Sequence, residues 1–122
     1  MIKQVALRVL VVEDEVLVAM LLEDLLTEMG HQVVGPAIRI REALELARLA
    51  DLDFAVLDVN VAGNQSFPVA DILRERSIPF VFATGYGAEG FEDGYRDEIA
   101  LNKPYEPGEL ERAIAKALSN SC

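Results

Sequence analysis

The chain has 122 residues, 52% of them hydrophobic, enough for the core of one domain and too apolar for a disordered segment. Its 21 acidic and 11 basic residues give a net charge of −10, which opposes nucleic-acid binding and adsorption to an anionic membrane. No apolar run is long enough to span a bilayer, and the lone cysteine, Cys122, leaves no internal disulfide and suits a cytoplasmic setting.

The elements alternate along the chain. Residues 5–12 read as a first strand, buried on both faces. Residues 15–29 read as a helix ending at Gly30, a natural C-cap. A second strand, 32–36, is cut by Gly35-Pro36, and a second helix, 39–50, carries Ile40, Ala43, Leu44 and Ala47 at helical spacing. Strand 54–57 precedes helix 68–76, with Pro68 suited to the first turn. Strand 79–83 follows.

Residues 88–96 should form a fourth helix, but Gly90 and Gly94 each cost roughly 1 kcal/mol relative to alanine, so it is expected to be short, frayed or mobile. Strand 99–101 and helix 107–119 close the chain; Leu110, Ala113, Ile114, Ala117 and Leu118 should face the core. Strand and helix repeat five times, which predicts an α/β fold: a parallel sheet, helices on both faces and right-handed crossovers. With no repeat, linker or signal-peptide pattern, residues 1–122 read as one domain without an output domain.

What ends the strands carries the chemistry. The first stops at Glu13-Asp14-Glu15, the third at Asp58, the fourth at Thr84-Gly85, and the fifth leads into Asn102-Lys103-Pro104. The carboxyl edge of an open parallel sheet is where sites are built. Carboxylates, a hydroxyl and an ammonium meeting there point to Mg²⁺-assisted phosphoryl chemistry centred on Asp58. Each residue also has an ordinary reading. Asp58 could cap a loop, the acids could face the first helix's N-terminus as Glu15 is expected to, Thr84 could simply be β-branched, and Lys103 could be solvated. The ordered set of four outweighs these alternatives.

That ordered set resembles the receiver domain of two-component response regulators, over essentially the whole chain. The segment Phe82-Ala83-Thr84-Gly85-Tyr86-Gly87 further resembles the FAT-GUY subgroup, associated with alphaproteobacterial stress signalling and HWE-type histidine kinases. The resemblance implies a flavodoxin-like sheet of order 2-1-3-4-5. It implies that Asp58 accepts a phosphoryl group from a histidine kinase or histidine phosphotransfer protein, with bound Mg²⁺. Asp14 would then be a direct metal ligand and Glu13 a water-mediated one, with Asp58 and the backbone carbonyl of Asn60 completing the protein ligands. Thr84 would donate to the phosphoryl group and move toward it, and the Gly85 N–H would be accessible to it. Lys103 would face Asp58, the Lys103-Pro104 step being a candidate cis peptide. Such a chain is a phosphoacceptor that assists its own phosphorylation and dephosphorylation, not an enzyme, and phosphorylation should order residues 85–94.

Two departures stand out. Many receivers carry an aromatic residue three positions before the lysine, where this chain has Ala100; Tyr86, Phe91 or Tyr105 could substitute. Residues 59–66 lack the common Met-Pro pair and are expected to form a slightly long, mobile loop. His31 reads as a surface residue. Leu17, Val18 and Leu21 read better as core than as a docking surface for a helical histidine-bearing partner. A Mg²⁺-dependent phosphohydrolase is a competing reading, though the chain lacks Asp-x-Asp on its first strand and a cap domain. A receiver-like module that binds protein and is never phosphorylated is the other.

Overall fold

The computed structural model describes residues 6–84, 100–102 and 106–120. In chain order the elements are β1 Arg8–Val12, α1 Val16–Glu28, β2 Gln32–Ala37, α2 Ile40–Leu49, β3 Phe54–Asp58, β4 Asn60–Val61, β5 Asn64–Gln65, α3 Phe67–Glu75, β6 Phe80–Thr84, β7 Ala100–Asn102 and α4 Pro107–Asn120. Five strands form a parallel sheet of order β2-β1-β3-β6-β7, so the expected 2-1-3-4-5 order holds. The helix expected at 88–96 lies outside the described residues.

The period of two along each strand divides the core into two layers. Leu10, Val12, Ala55, Leu57, Phe80 and Phe82 face α2 and α3, meeting Ala43, Ala47, Phe67, Ala70 and Leu73. Val9, Val11, Phe54, Val56, Val81 and Ala83 face α1 and α4, meeting Leu22, Leu25, Leu26, Leu110 and Ile114. Fully burying a Val, Leu, Ile or Phe side chain contributes about 1.5–3 kcal/mol. Phe82 sits edge-on to both Phe67 and Phe80, with ring centroids 5.5 and 5.4 Å apart. Two helical faces differ from expectation. Leu118 is 37% exposed, and α1 buries Ala19, Leu22, Leu25 and Leu26, which turns Leu17 and Leu21 away from the sheet. Leu17 is 81% exposed and Leu21 41%, so neither is core, while Val18 is half-buried against the core.

Several ends fall where local chemistry dictates. Gly30 follows α1 at φ 88°, a conformation that costs glycine little. Ala6 and Leu7 precede β1 rather than joining it, and β2 runs on through Pro36 to Ala37. The β1–β2 register shifts between Leu10 and Val12, where Gly35 adopts φ 100° and the Gly35–Pro36 peptide is cis. A Cβ at Gly35 would lie 2.7 Å from the Ala37 nitrogen and 3.2 Å from the Val11 oxygen, so only glycine fits this close approach.

The segment after Asp58, expected as a slightly long, mobile loop, contains regular structure. β4 and β5 form a small antiparallel hairpin, Asn60 opposite Gln65 and Val61 opposite Asn64. Its two-residue turn, Ala62-Gly63, has φ 51° and 88°. Positive φ at both central residues is the hairpin turn whose twist suits its strands. Val61 is fully buried and anchors the hairpin in the α2/α3 layer, and the Ser66 N–H donates to the Val59 carbonyl at 2.9 Å. No described helix is long and apolar enough to cross a membrane.

Candidate functional site

Asp58 is the last residue of β3, the central strand of the sheet. Every residue of β3 is buried, and Asp58 itself is 7% exposed. On one side β1 ends at Val12, one residue before Glu13. On the other, β6 pairs Ala83 with Asp58 and carries Thr84 one residue beyond. Thr84 is buried and aligned with Asn102 at the end of β7. In-register parallel strands therefore bring the ends of β1, β3 and β6 to one edge, as the sequence implied.

One ligand oxygen from each of Glu13, Asp14 and Asp58 lies within 4.8 Å of the others. Glu13 is almost wholly buried, Asp14 half-buried. Three carboxylates so close repel one another, and hard oxygen donors at this spacing suit a small, hard divalent cation. This donor set contains neither thiol nor imidazole, which separates it from a zinc site.

Backbone amides hold the carboxylates in place. The Glu13 N–H donates to the Ala37 carbonyl at 3.0 Å, which ties the acid to the end of β2 just past the Gly35 bulge. Glu15 is the N-cap of α1; its side chain makes no capping bond, but its N–H donates to Glu13 Oε2 at 3.1 Å. The Asn60 N–H lies 3.4 Å from Asp58 Oδ1, which keeps Asn60 beside the cluster. The Ala62 N–H donates to Asp14 Oδ2 at 2.9 Å across 48 residues of sequence.

Of the expected site residues, Glu13, Asp14 and Asp58 converge, Asn60 borders them, and Thr84 ends the neighbouring strand. Lys103, Pro104, Gly85, Tyr86, Phe91 and Tyr105 lie outside the described residues. Ala100 is exposed on β7, in register with Phe82. The contribution of Ala62 had no sequence signal beyond a small-residue pair, Ala62-Gly63, in a polar loop. His31 is not a plain surface residue either. It is half-buried, and its Nδ1 accepts a hydrogen bond from the Leu7 N–H at 3.1 Å. Desolvation lowers its pKa below the ordinary 6.5.

The fold and the acidic edge agree with what this chain is similar to. A sequence model of the response regulator receiver domain matches residues 9–115. The phyllosphere-induced regulator PhyR of Methylorubrum extorquens is 36% identical over 118 residues, covering 93% of this chain and 44% of its own length. The transcriptional regulatory protein PdtaR of Mycobacterium tuberculosis is 35% identical over 116 residues, covering 92% of this chain and 57% of its own. The chain thus spans about half the length of these curated relatives. The solution structure of SdrG from Sphingomonas melonis Fr1 superposes with a TM-score of 0.80 at 38% identity, covering 98% of each chain. With its Asp58-centred acidic edge and a match over residues 9–115, the chain belongs to the response regulator receiver domain family.

Proposed function

We propose that this chain is a Mg²⁺-dependent phosphoacceptor in two-component or phosphorelay signalling, taking a phosphoryl group on Asp58 from a histidine kinase or histidine phosphotransfer protein. The observation that carries the reading is the convergence of Glu13, Asp14 and Asp58 oxygens within 4.8 Å at the ends of β1 and β3. An Asp58 oxygen attacks the phosphorus of a phosphohistidine, a P–O bond forms, the P–N bond breaks, and the imidazole leaves. The Thr84 hydroxyl donates to a phosphoryl oxygen, and the Lys103 ammonium balances the added charge. Glu13, Asp14, Asp58 and the Asn60 carbonyl would hold Mg²⁺, which screens the carboxylate from the incoming phosphoryl charge.

Val16, Leu17, Met20 and Leu21 form an exposed apolar face on α1, beginning two residues after Asp14. Contiguous apolar surface of this kind marks protein contact, and its position beside the cluster suits a helical histidine-bearing donor. The residues of 82–87 support an HWE-type kinase as donor, and the likeness, at 33% identity, to a PhyR described as a stress response regulator supports a stress-signalling role.

Backbone amide NMR with Mg²⁺, then Mg²⁺ plus beryllofluoride, tests the reading, beryllofluoride standing in for the phosphoryl group on a carboxylate. Shifts at residues 13, 14, 58 and 84 that spread into 85–105 and vanish in Asp58→Asn are expected. A spectrum unmoved by either addition would favour a module that works by protein contact alone.

A further inference from the structure

We propose that Ala62, at the tip of the β4–β5 hairpin, is a positioning residue for the cation site: its backbone N–H holds the Asp14 carboxylate in the orientation that faces Asp58. The proposal rests on the reading that Glu13, Asp14 and Asp58 bind Mg²⁺.

Glu13 and Asp58 receive amides from residues two positions away in sequence, Glu15 and Asn60, which come with the local turn. Asp14 receives the Ala62 N–H at 2.9 Å, from a separate element. That hairpin is fixed at several points. Val61 is buried, Ser66 N–H closes onto the Val59 carbonyl, and the Gly63 N–H donates to Asn60 Oδ1 at 3.1 Å. Ala62 stands at φ 51°, a conformation residues with a Cβ rarely adopt, and this turn aims its N–H at Asp14.

Asp14 is half-buried, so without a partner its carboxylate would sample several rotamers. A bond to Oδ2 fixes that torsion while leaving Oδ1 for the cation. Asp14 is then an oriented ligand that need not be ordered on cation binding, as with other metal ligands held by outer-shell partners.

The first test needs no metal. In wild-type protein treated with chelator, a trans-hydrogen-bond scalar coupling between the Ala62 nitrogen and the Asp14 carboxyl carbon is expected. The Ala62 amide, in an exposed turn, should also be protected from exchange and lose that protection in Asp14→Ala. Absence of the coupling together with unprotected exchange would overturn the proposal. The second test titrates Mg²⁺ alone, followed by NMR. Ala62→Gly keeps the N–H and suits the positive φ, so its Mg²⁺ affinity should match wild type. Replacing Ala62 with its α-hydroxy acid analogue, lactic acid, exchanges the N–H for an ester oxygen and leaves the positive φ accessible; this protein should bind Mg²⁺ about tenfold more weakly or worse, the range seen for outer-shell partners. Wild-type affinity in the ester would refute the positioning role. Should the ester protein fail to fold, the coupling and exchange measurements decide alone. A wild-type protein that shows the coupling but ignores Mg²⁺ would defeat the cation reading and leave the hydrogen bond standing.

Discussion

Replacing Asp58 with asparagine should stabilise the fold when divalent cations are absent. The magnitude follows from the cluster. Two unit charges 4.8 Å apart at an effective dielectric of 20 repel by about 3 kcal/mol. Asp58→Asn removes two such pairs, with Glu13 and Asp14. It also removes the attraction to Lys103, if the lysine faces Asp58 as proposed, so about one pair remains as net gain. Asp14 is half-exposed, which reduces that gain to about 1–2 kcal/mol. For a domain of this size the melting temperature should rise by roughly 4–8 °C. Thermal unfolding by circular dichroism, in chelator at low ionic strength, measures it. Added salt should shrink the difference. Saturating Mg²⁺ should stabilise wild type, by about 2.7 kcal/mol at 100 times its dissociation constant, and stabilise the variant far less. A variant no more stable than wild type in chelator would refute the argument that the acids hold each other in a repulsive, cation-seeking arrangement.

Other changes separate fold from function. Gly35→Ala places a Cβ 2.7 Å from the Ala37 nitrogen at φ 100° and should cost at least 1–3 kcal/mol in chemical denaturation. Because the same bulge presents Ala37 to Glu13, Mg²⁺ affinity should fall with it. His31 has its pKa lowered by burial, so between the folded and unfolded values the unfolded chain binds more protons. Its contribution to stability is present above pH 6.5 and is lost as pH falls toward the folded value. Denaturation midpoints of wild type and His31→Gln, compared from pH 8 to 5, should show an acid-side loss of stability in wild type that the variant lacks. Leu17→Glu lies at an 81% exposed position and should change stability by less than about 0.5 kcal/mol. Phosphotransfer from a histidine-bearing donor should slow markedly, while phosphorylation by phosphoramidate should not; equal rates from both donors would exclude this face as the docking surface.

The strands were legible because a buried parallel sheet writes itself as short β-branched runs, and the runs of β1, β3 and β6 end at polar residues that the register then aligns. The order of the strands rested on the family resemblance, since periodicity says nothing of who pairs with whom. Two kinds of feature stayed hidden. Leu17 and Leu21 looked like core because α1 is apolar nearly all round, and only packing shows which arc meets the sheet. The β4–β5 hairpin has strands of two residues, too short for alternation to register, and Ala62-Gly63 is a poorer turn signal than Asn-Gly. The Ala62–Asp14 bond is a tertiary contact between backbone and side chain, which no local pattern encodes.

The central claim is that Asp58 accepts a phosphoryl group with a divalent cation beside it. Intact-mass spectrometry after incubation with phosphoramidate and Mg²⁺ tests it most directly. The account predicts the gain of one phosphoryl group, abolished by chelator and by Asp58→Asn. No gain in wild type, or an undiminished gain in Asp58→Asn, would contradict it.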